Sequence, residues 1–255
     1  MGLQLSRNMN QADPIIIVGL GGLGGGVIDS LKGKIKHDYD DIDRVEMRIV
    51  DMTSHIKNTH MTDDEIIILD PRGTDCDRTL GQKIFRTESV YEGIRSEFKT
   101  LIEKMISIAG EDHINILIAS GIVGGTGGGI FVDFTYMIHD LFKECHHKNY
   151  SICAYMFDVQ SNDDQEEKNH RMKLNGQAAL KELQHHMNIT THDHLYQTTI
   201  GQREITCRKT LFEEYKHISF CLGDDVKLDD LKKRMSTLMI EDCLLYTSPS
   251  PRDLS

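Results

Sequence analysis

The sequence predicts an α/β fold, a mostly parallel sheet with helices on both faces, on three observations. Short apolar, β-branched runs recur along the chain and alternate with longer segments of helical periodicity. Two of those runs, residues 14–18 and 114–119, pass directly into glycine clusters, 19–26 and 121–129. Each cluster leads into apolar residues at helical spacing: Val27, Ile28 and Leu31 after the first, and Ile130, Phe134, Met137, Ile138 and Leu141 after the second. Strand, glycine loop and helix, used twice, brings unpaired backbone N–H groups and the positive ends of two helices to the carboxyl edge of a sheet. That is where open α/β sheets bind ligands, and phosphate is the chemistry such a place favours.

Composition narrows the class. The chain has 255 residues, 39% hydrophobic and 27% charged, as a soluble globular protein does. A net charge of −11 speaks against direct nucleic-acid binding, whose footprint is basic. No apolar stretch approaches the length of a membrane span, and the polar residues 1–13 lack the apolar centre of a signal peptide, so a cytoplasmic location without membrane insertion is expected. The six cysteines are scattered without a CxxC pair and read as reduced structural thiols.

In chain order, residues 14–18 form a first buried strand feeding the cluster 19–26. Taken alone, Gly19, Gly21 and Gly24 fit a dinucleotide-binding GxGxxG as well as any other phosphate loop. Residues 45–50 alternate as a second strand and end at Asp51. That carboxylate suits a ribose hydroxyl in a dinucleotide reading, or the capping of a turn. Residues 66–69 are a third strand, followed by the turn-rich segment 70–75, where Arg72 can reach phosphate or simply lie on the surface. Val90, Ile94, Phe98, Leu101, Met105 and Ile108 form a helical stripe of core character. Residues 114–119 are the fourth strand. Beyond the cluster 121–129 and a helix over 130–143 come strand 151–157, closing at Asp158, and a helix over 170–187 with Met172, Ala179, Leu180 and Leu183 inside. A sixth strand, 217–222, precedes an amphipathic helix carrying Leu228, Leu231, Met235, Leu238 and Met239, which Asp224 or Asp225 can cap. The histidines of 144–148, 185–186 and 192–194 lack the spacing of a four-ligand zinc site and read as exposed polar residues; no metal-ligating protein site is expected.

Gly124-Gly-Thr-Gly-Gly-Gly129 resembles the GGGTG(S/T)G phosphate loop of the tubulin/FtsZ superfamily, with Val123 in place of the first glycine and Gly128 in place of Ser or Thr. The resemblance extends over most of the chain, and the segment 175–183 is similar to bacterial tubulin-like proteins. It implies a Rossmann-like GTPase domain that binds GTP or GDP with Mg²⁺ and assembles with copies of itself, head to tail, into filaments. It further implies nucleotide contacts at Gly21, Gly22, Leu23, Gly25 and Gly26 of the first loop, where Gly26 stands for the family's usual Asn. Asp51 falls in the second loop and Asp70 in the third. Gly124, Gly125, Thr126, Gly127 and Gly128 make the central loop, with the Thr126 hydroxyl as an added phosphate donor. Asp158 and Arg171 fall near the ribose, Arg171 having a surface pair with Glu166 or Glu167 as its other reading. Asp225 precedes the family's central helix, where a carboxylate accepts from guanine.

The domain organisation expected is a flexible N-terminus, 1–13, one tubulin-like nucleotide-binding domain, 14–244, truncated in the central helix, and a tail, 245–255, whose two prolines end that helix and which reads as non-native. On that reading the chain binds nucleotide with little hydrolysis, because the family's acidic loop comes later. Two other readings stand beside it. An NAD(P)-dependent oxidoreductase accounts for 19–24 and Asp51 and leaves the second cluster unused. A degenerate adaptor that binds no nucleotide accounts for Gly26, Val123 and Gly128.

Overall fold

A computed structural model of the chain describes residues 13–38, 43–52, 60–161, 166–188, 195–222 and 227–246. Their order is β1 (Ile15–Leu20), α1 (Gly21–Asp38), β2 (Val45–Asp51), β3 (Ile66–Ile68), α2 (Arg78–Phe85), α3 (Glu88–Ala109), β4 (Ile114–Gly121), α4 (Gly125–Glu144), β5 (Tyr150–Ser161), α5 (Glu166–Met187), β6 (Tyr196–Ile200), β7 (Arg203–Cys207), β8 (Glu214–Leu222) and α6 (Leu228–Tyr246). Six strands form one parallel sheet in the order β3-β2-β1-β4-β5-β8. The six strands expected from the apolar runs are these six.

The sheet is buried on both faces, which is why its central strands read as continuous apolar runs. The two-residue period sorts their side chains. Ile16, Val18 and Leu20 of β1, with Ile114, Ile116 and Ile118 of β4, pack beneath α3, α4 and α5. Ile15 and Ile17, with Leu117 and Ala119, pack beneath α1 and α6. Both layers are therefore specified by the same short stretches of sequence.

The helical stripes hold with local shifts. In α3 the fully buried positions include Tyr91, Ile94, Phe98, Leu101 and Met105, while Val90 and Ile108 are half-buried at its edge. In α6, Leu231, Met235 and Met239 are buried, whereas Leu228 and Leu238 face outward. Two elements lack a clear sequence signal. One is α2, capped by Asp77, whose side chain accepts from the Leu80 amide. The other is the antiparallel β6–β7 hairpin. The hairpin is joined to α4 through Asp133, which is 1% exposed and accepts from Arg86 Nε at 2.6 Å, Arg86 Nη2 at 2.8 Å and the Tyr196 hydroxyl at 2.8 Å. Tyr196 also stacks on Tyr136, ring centres 3.6 Å apart.

Several histidines expected on the surface lie inside. His147 is buried, and half-buried His186 meets the Tyr136 hydroxyl at 3.2 Å. His192 and His194 lie outside the described residues. His139 is buried between the Tyr150 hydroxyl, at 2.9 Å from Nδ1, and the Leu211 carbonyl, at 3.1 Å from Nε2. The carbonyl can only accept, so Nε2 carries the proton and Nδ1 receives the tyrosine's.

Burial depresses the pKa of His139 from 6.5 to about 4. The unfolded chain takes up that proton first, so the stabilisation is complete above about pH 6.5 and is lost as pH falls towards 4. Urea unfolding should show stability lower by up to about 3 kcal/mol at the acid end of that window, the equivalent of the His139 shift. A His139→Gln chain, less stable throughout, should decline less steeply over the same range.

Candidate phosphate-binding site

The chain builds the sheet outward from β1 through β2 to β3, then returns to β4 on the other side of β1. β1 and β4 thus flank the point at which strand order reverses, where an open α/β sheet leaves a crevice at its carboxyl edge. Both glycine clusters open there. The helices start inside the clusters rather than after them: α1 begins at Gly21 and α4 at Gly125.

The first turns of α1 and α4 touch. Gly21 has φ +70°, a conformation closed to most side chains, and a Cβ placed on it would lie 2.8 Å from the Gly127 nitrogen. Close approach of backbone to backbone accounts for other glycines in the clusters. A Cβ on Gly24 would stand 2.2 Å from the Ala119 carbonyl oxygen, and one on Gly127 would stand 2.6 Å from that of Gly121. Packing therefore claims more of the glycines than the phosphate-loop reading allowed. Gly22 and Gly124 differ, since nothing approaches their Cβ positions closer than 3.7 Å and 3.8 Å. These two line the open side.

Neither helix neutralises its own N-terminus. The first turns of α1 and α4 hold no acidic residue, and the N-cap of α4 is Gly124, which has no side chain to offer. α2 shows the ordinary solution in the same fold, an Asp77 cap. At the crevice two sets of orphan amides and two positive dipole ends meet without a capping side chain from their own first turns, an arrangement that attracts an anion. Beneath it, the fully buried Ser120 hydroxyl has no hydrogen-bond partner among the described residues.

Asp51, at the end of β2, is the acidic group beside this pair. It is 5% exposed, and its Oδ2 lies 3.7 Å from the Cβ position of Gly22. Oδ1 accepts from the Met52 amide at 2.7 Å. Burial raises its pKa, opposed by the Met52 amide and by a hydrogen bond from the Thr126 side chain. Thr126, expected as a phosphate donor, therefore also stands beside Asp51.

The remaining candidates divide. Leu23 packs on Gly121, and Gly25 lies against Gly19, so both shape the first loop from below. A Cβ on Gly128 would stand 2.4 Å from the Ile122 carbonyl oxygen, so packing requires that this position carry no side chain. Asp70 is turned onto Arg72 of its own loop, whose guanidinium and amide hold the carboxyl down to about 2. Arg72 is spent in the same pair. Asp158 lies between α5 and β8, with Oδ2 3.9 Å from His217 Nε2. Arg171 donates to the Asp75 carbonyl at 3.2 Å and stands 3.9 Å from Glu167. Gly26 is covered by Lys232 of α6. Asp225 lies outside the described residues.

Three further residues hold the site in shape. Asn175 of α5 donates to the carbonyls of Cys76 at 2.7 Å and Val123 at 3.0 Å, joining the third loop to the central one. Thr74 leans on Gly125, with Oγ1 2.2 Å from that glycine's Cβ position. Arg78 donates to the Gly128 carbonyl at 2.8 Å and pairs with Glu182 at 2.6 Å. Asn175 and Arg78 are polar side chains meeting main-chain carbonyls across the fold, a contact that carries no local spacing rule.

Residues 63–217 match a family model described as "Tubulin like". No curated protein sequence matches the chain. Among solved structures, TubZ of Clostridium botulinum phage c-st is 13% identical with TM-score 0.57, over 92% of this chain and 61% of that one. CetZ from Methanosaeta thermophila is 15% identical with TM-score 0.57, over 91% and 53%. A GTPγS-form protofilament of TubZ from Bacillus thuringiensis serovar israelensis is 11% identical with TM-score 0.59, over 96% and 60%. The chain spans between about half and six-tenths of these proteins' lengths.

The two kinds of glycine should separate by stability. Gly24→Ala and Gly127→Ala place a methyl inside a backbone contact and should each cost at least about 2 kcal/mol in urea unfolding. Gly22→Ala, in an open helical position, should leave stability unchanged or raise it by up to about 1 kcal/mol.

Proposed function

This chain belongs to the tubulin-like family, and from that premise we propose that the crevice between α1 and α4 binds the phosphates of a guanine nucleotide. The observation that carries the proposal is the meeting of two uncapped helix N-termini at the reversal of strand order, with Gly22 and Gly124 leaving their amides open. Oligophosphate suits this place because its oxygens can accept from both sets of amides while its charge faces both dipoles.

Asp51 bears on the counter-ion. A buried carboxylate beside the cradle repels a phosphate unless a cation lies between them, and hard divalent cations take carboxylate and phosphate oxygens together. Asp51 would hold Mg²⁺ there, with Thr126 keeping the carboxylate oriented. The ion, when bound, supplies charge neutralisation, and the chain's own part is to place the carboxylate and the amides. The NAD reading uses β1, α1 and Asp51 alike, but it gives no ligand role to the uncapped start of α4.

For the whole protein we propose head-to-tail self-association. The likeness to a TubZ protofilament in its GTPγS form supports this reading. Repeating heterologous contacts that do not close generate such filaments.

Gly124→Asp tests the site with two readouts of opposite sign. Gly124 has φ −80° and ψ 167°, the extended geometry of a capping residue. An Asp there caps the α4 amides itself, so thermal unfolding should report a gain of about 1 kcal/mol. Binding of ribose-labelled fluorescent GTP, followed by anisotropy, should fall by at least about tenfold, since the amides are taken and a negative charge is added. In the unsubstituted chain EDTA should weaken binding, GDP should displace the probe, and NAD should not. Displacement by NAD alone would return the protein to the dinucleotide class.

A further inference from the structure

Asn175 of α5 is buried, and its one amide nitrogen donates to two main-chain carbonyls, those of Cys76 at 2.7 Å and Val123 at 3.0 Å. Both partners can only accept, so the NH₂ end of the side chain faces them and both of its hydrogens are committed. The next residue, Gly176, makes room for the same neighbour: a Cβ there would stand 3.2 Å from Val123 Cγ1. Asn175 thus grips the peptide groups that follow Cys76 and Val123. Both are trans, since no cis bond occurs among the described residues.

In a planar trans peptide the C=O and N–H point in opposite directions. With the Cys76 carbonyl turned onto α5, the Asp77 N–H turns back into its own loop and donates to the Thr74 carbonyl at 2.8 Å. With the Val123 carbonyl turned onto α5, the Gly124 N–H turns the other way, and no main-chain acceptor among the described residues takes it. Gly124 is the N-cap of α4, and the nearest atom to its Cβ position is 3.8 Å away. One gripped peptide is satisfied within its loop; the other presents an unused donor on the open side.

Resting on the nucleotide reading, we propose that Asn175 is a positioning residue of the phosphate cradle: by holding the Val123 carbonyl against α5, it aims the Gly124 amide at a phosphate oxygen. Asn175 itself does not touch the ligand. The amides that follow Gly124 are oriented by the helix they begin. The Gly124 peptide precedes that helix, with extended backbone at φ −80° and ψ 167°, and glycine resists rotation least of all residues. Its plane is therefore set from outside the loop, by the bond from Asn175.

The test reads the Gly124 amide directly. In a chain carrying ¹⁵N-labelled glycine, the Gly124 resonance is the one absent from Gly124→Ala, a substitution its open Cβ position accepts. Inorganic triphosphate with Mg²⁺ should shift that resonance in the unsubstituted chain. Calorimetry with the same probe should find binding at least about tenfold weaker in Asn175→Ala, the loss expected for one hydrogen bond to a charged acceptor. The Gly124 resonance of that variant should no longer respond. Tyr196→Phe, which gives up a buried hydrogen bond at the β6–β7 hairpin, is the control: its stability should fall while its affinity stays within about twofold. A Gly124 resonance that stays still while triphosphate binds the unsubstituted chain would overturn the assignment, and this outcome needs no variant to fold. Undiminished binding by Asn175→Ala, or an equal loss in Tyr196→Phe (the mark of stability alone), would overturn it as well. Failure of both triphosphate and labelled GTP to bind the unsubstituted chain would overturn the nucleotide reading itself, and the Asn175 assignment with it.

Discussion

The contact of Gly21 with Gly127 is the constraint on which the site depends. α1 packs on one face of the sheet and α4 on the other, so their first turns can meet only over its carboxyl edge. That requires β1 and β4 to be neighbours, with partner residues such as Gly19 and Ala119 side by side at the edge. It also requires that no side chain stand between the two backbones. Strand order and glycine placement are therefore one requirement, and the electrostatic result follows: two dipole ends, each equivalent to roughly half a positive charge, face one volume.

Such a concentration of unsatisfied donors is costly to bury, and the chain leaves it facing the open side, next to one carboxylate. Asp51 softens the field from beneath, held by the Met52 amide and Thr126 while burial raises its pKa. The same group that balances the cradle is suited to bring a cation to it.

Around this centre the fold uses polar side chains as ties between elements. The loop after β3 places Asp75 and Cys76 in left-handed backbone conformations, φ 43° and 61°, unusual for residues with side chains. Their carbonyls are fixed by Arg171 and Asn175 of α5. Farther out, Asp133 joins α4 to the segment after α2 and to the β6–β7 hairpin. A buried carboxylate with three donors tolerates no partial loss, because any donor removed leaves charge uncompensated in the interior. The contacts near the crevice and those at the hairpin share α4, which is buried along most of its length.

Six strands, their parallel class and the position of the crevice were legible in the sequence, because apolar runs, glycine clusters and helical stripes are local patterns with fixed periods. Asp51 at a strand end was legible for the same reason. What the sequence could not state is which glycine lies on the open side and which faces another backbone, since Gly24 and Gly124 are identical in composition and differ only in what the fold brings against them. Nor could it show that Thr126 stands beside Asp51 or that Lys232 lies over Gly26. These are choices among partners distant in the chain, and the hairpin and the Asn175 and Arg78 ties are of the same kind. Periodicity determines which face of an element is buried; only the packing of elements against one another determines what each buried or open position meets.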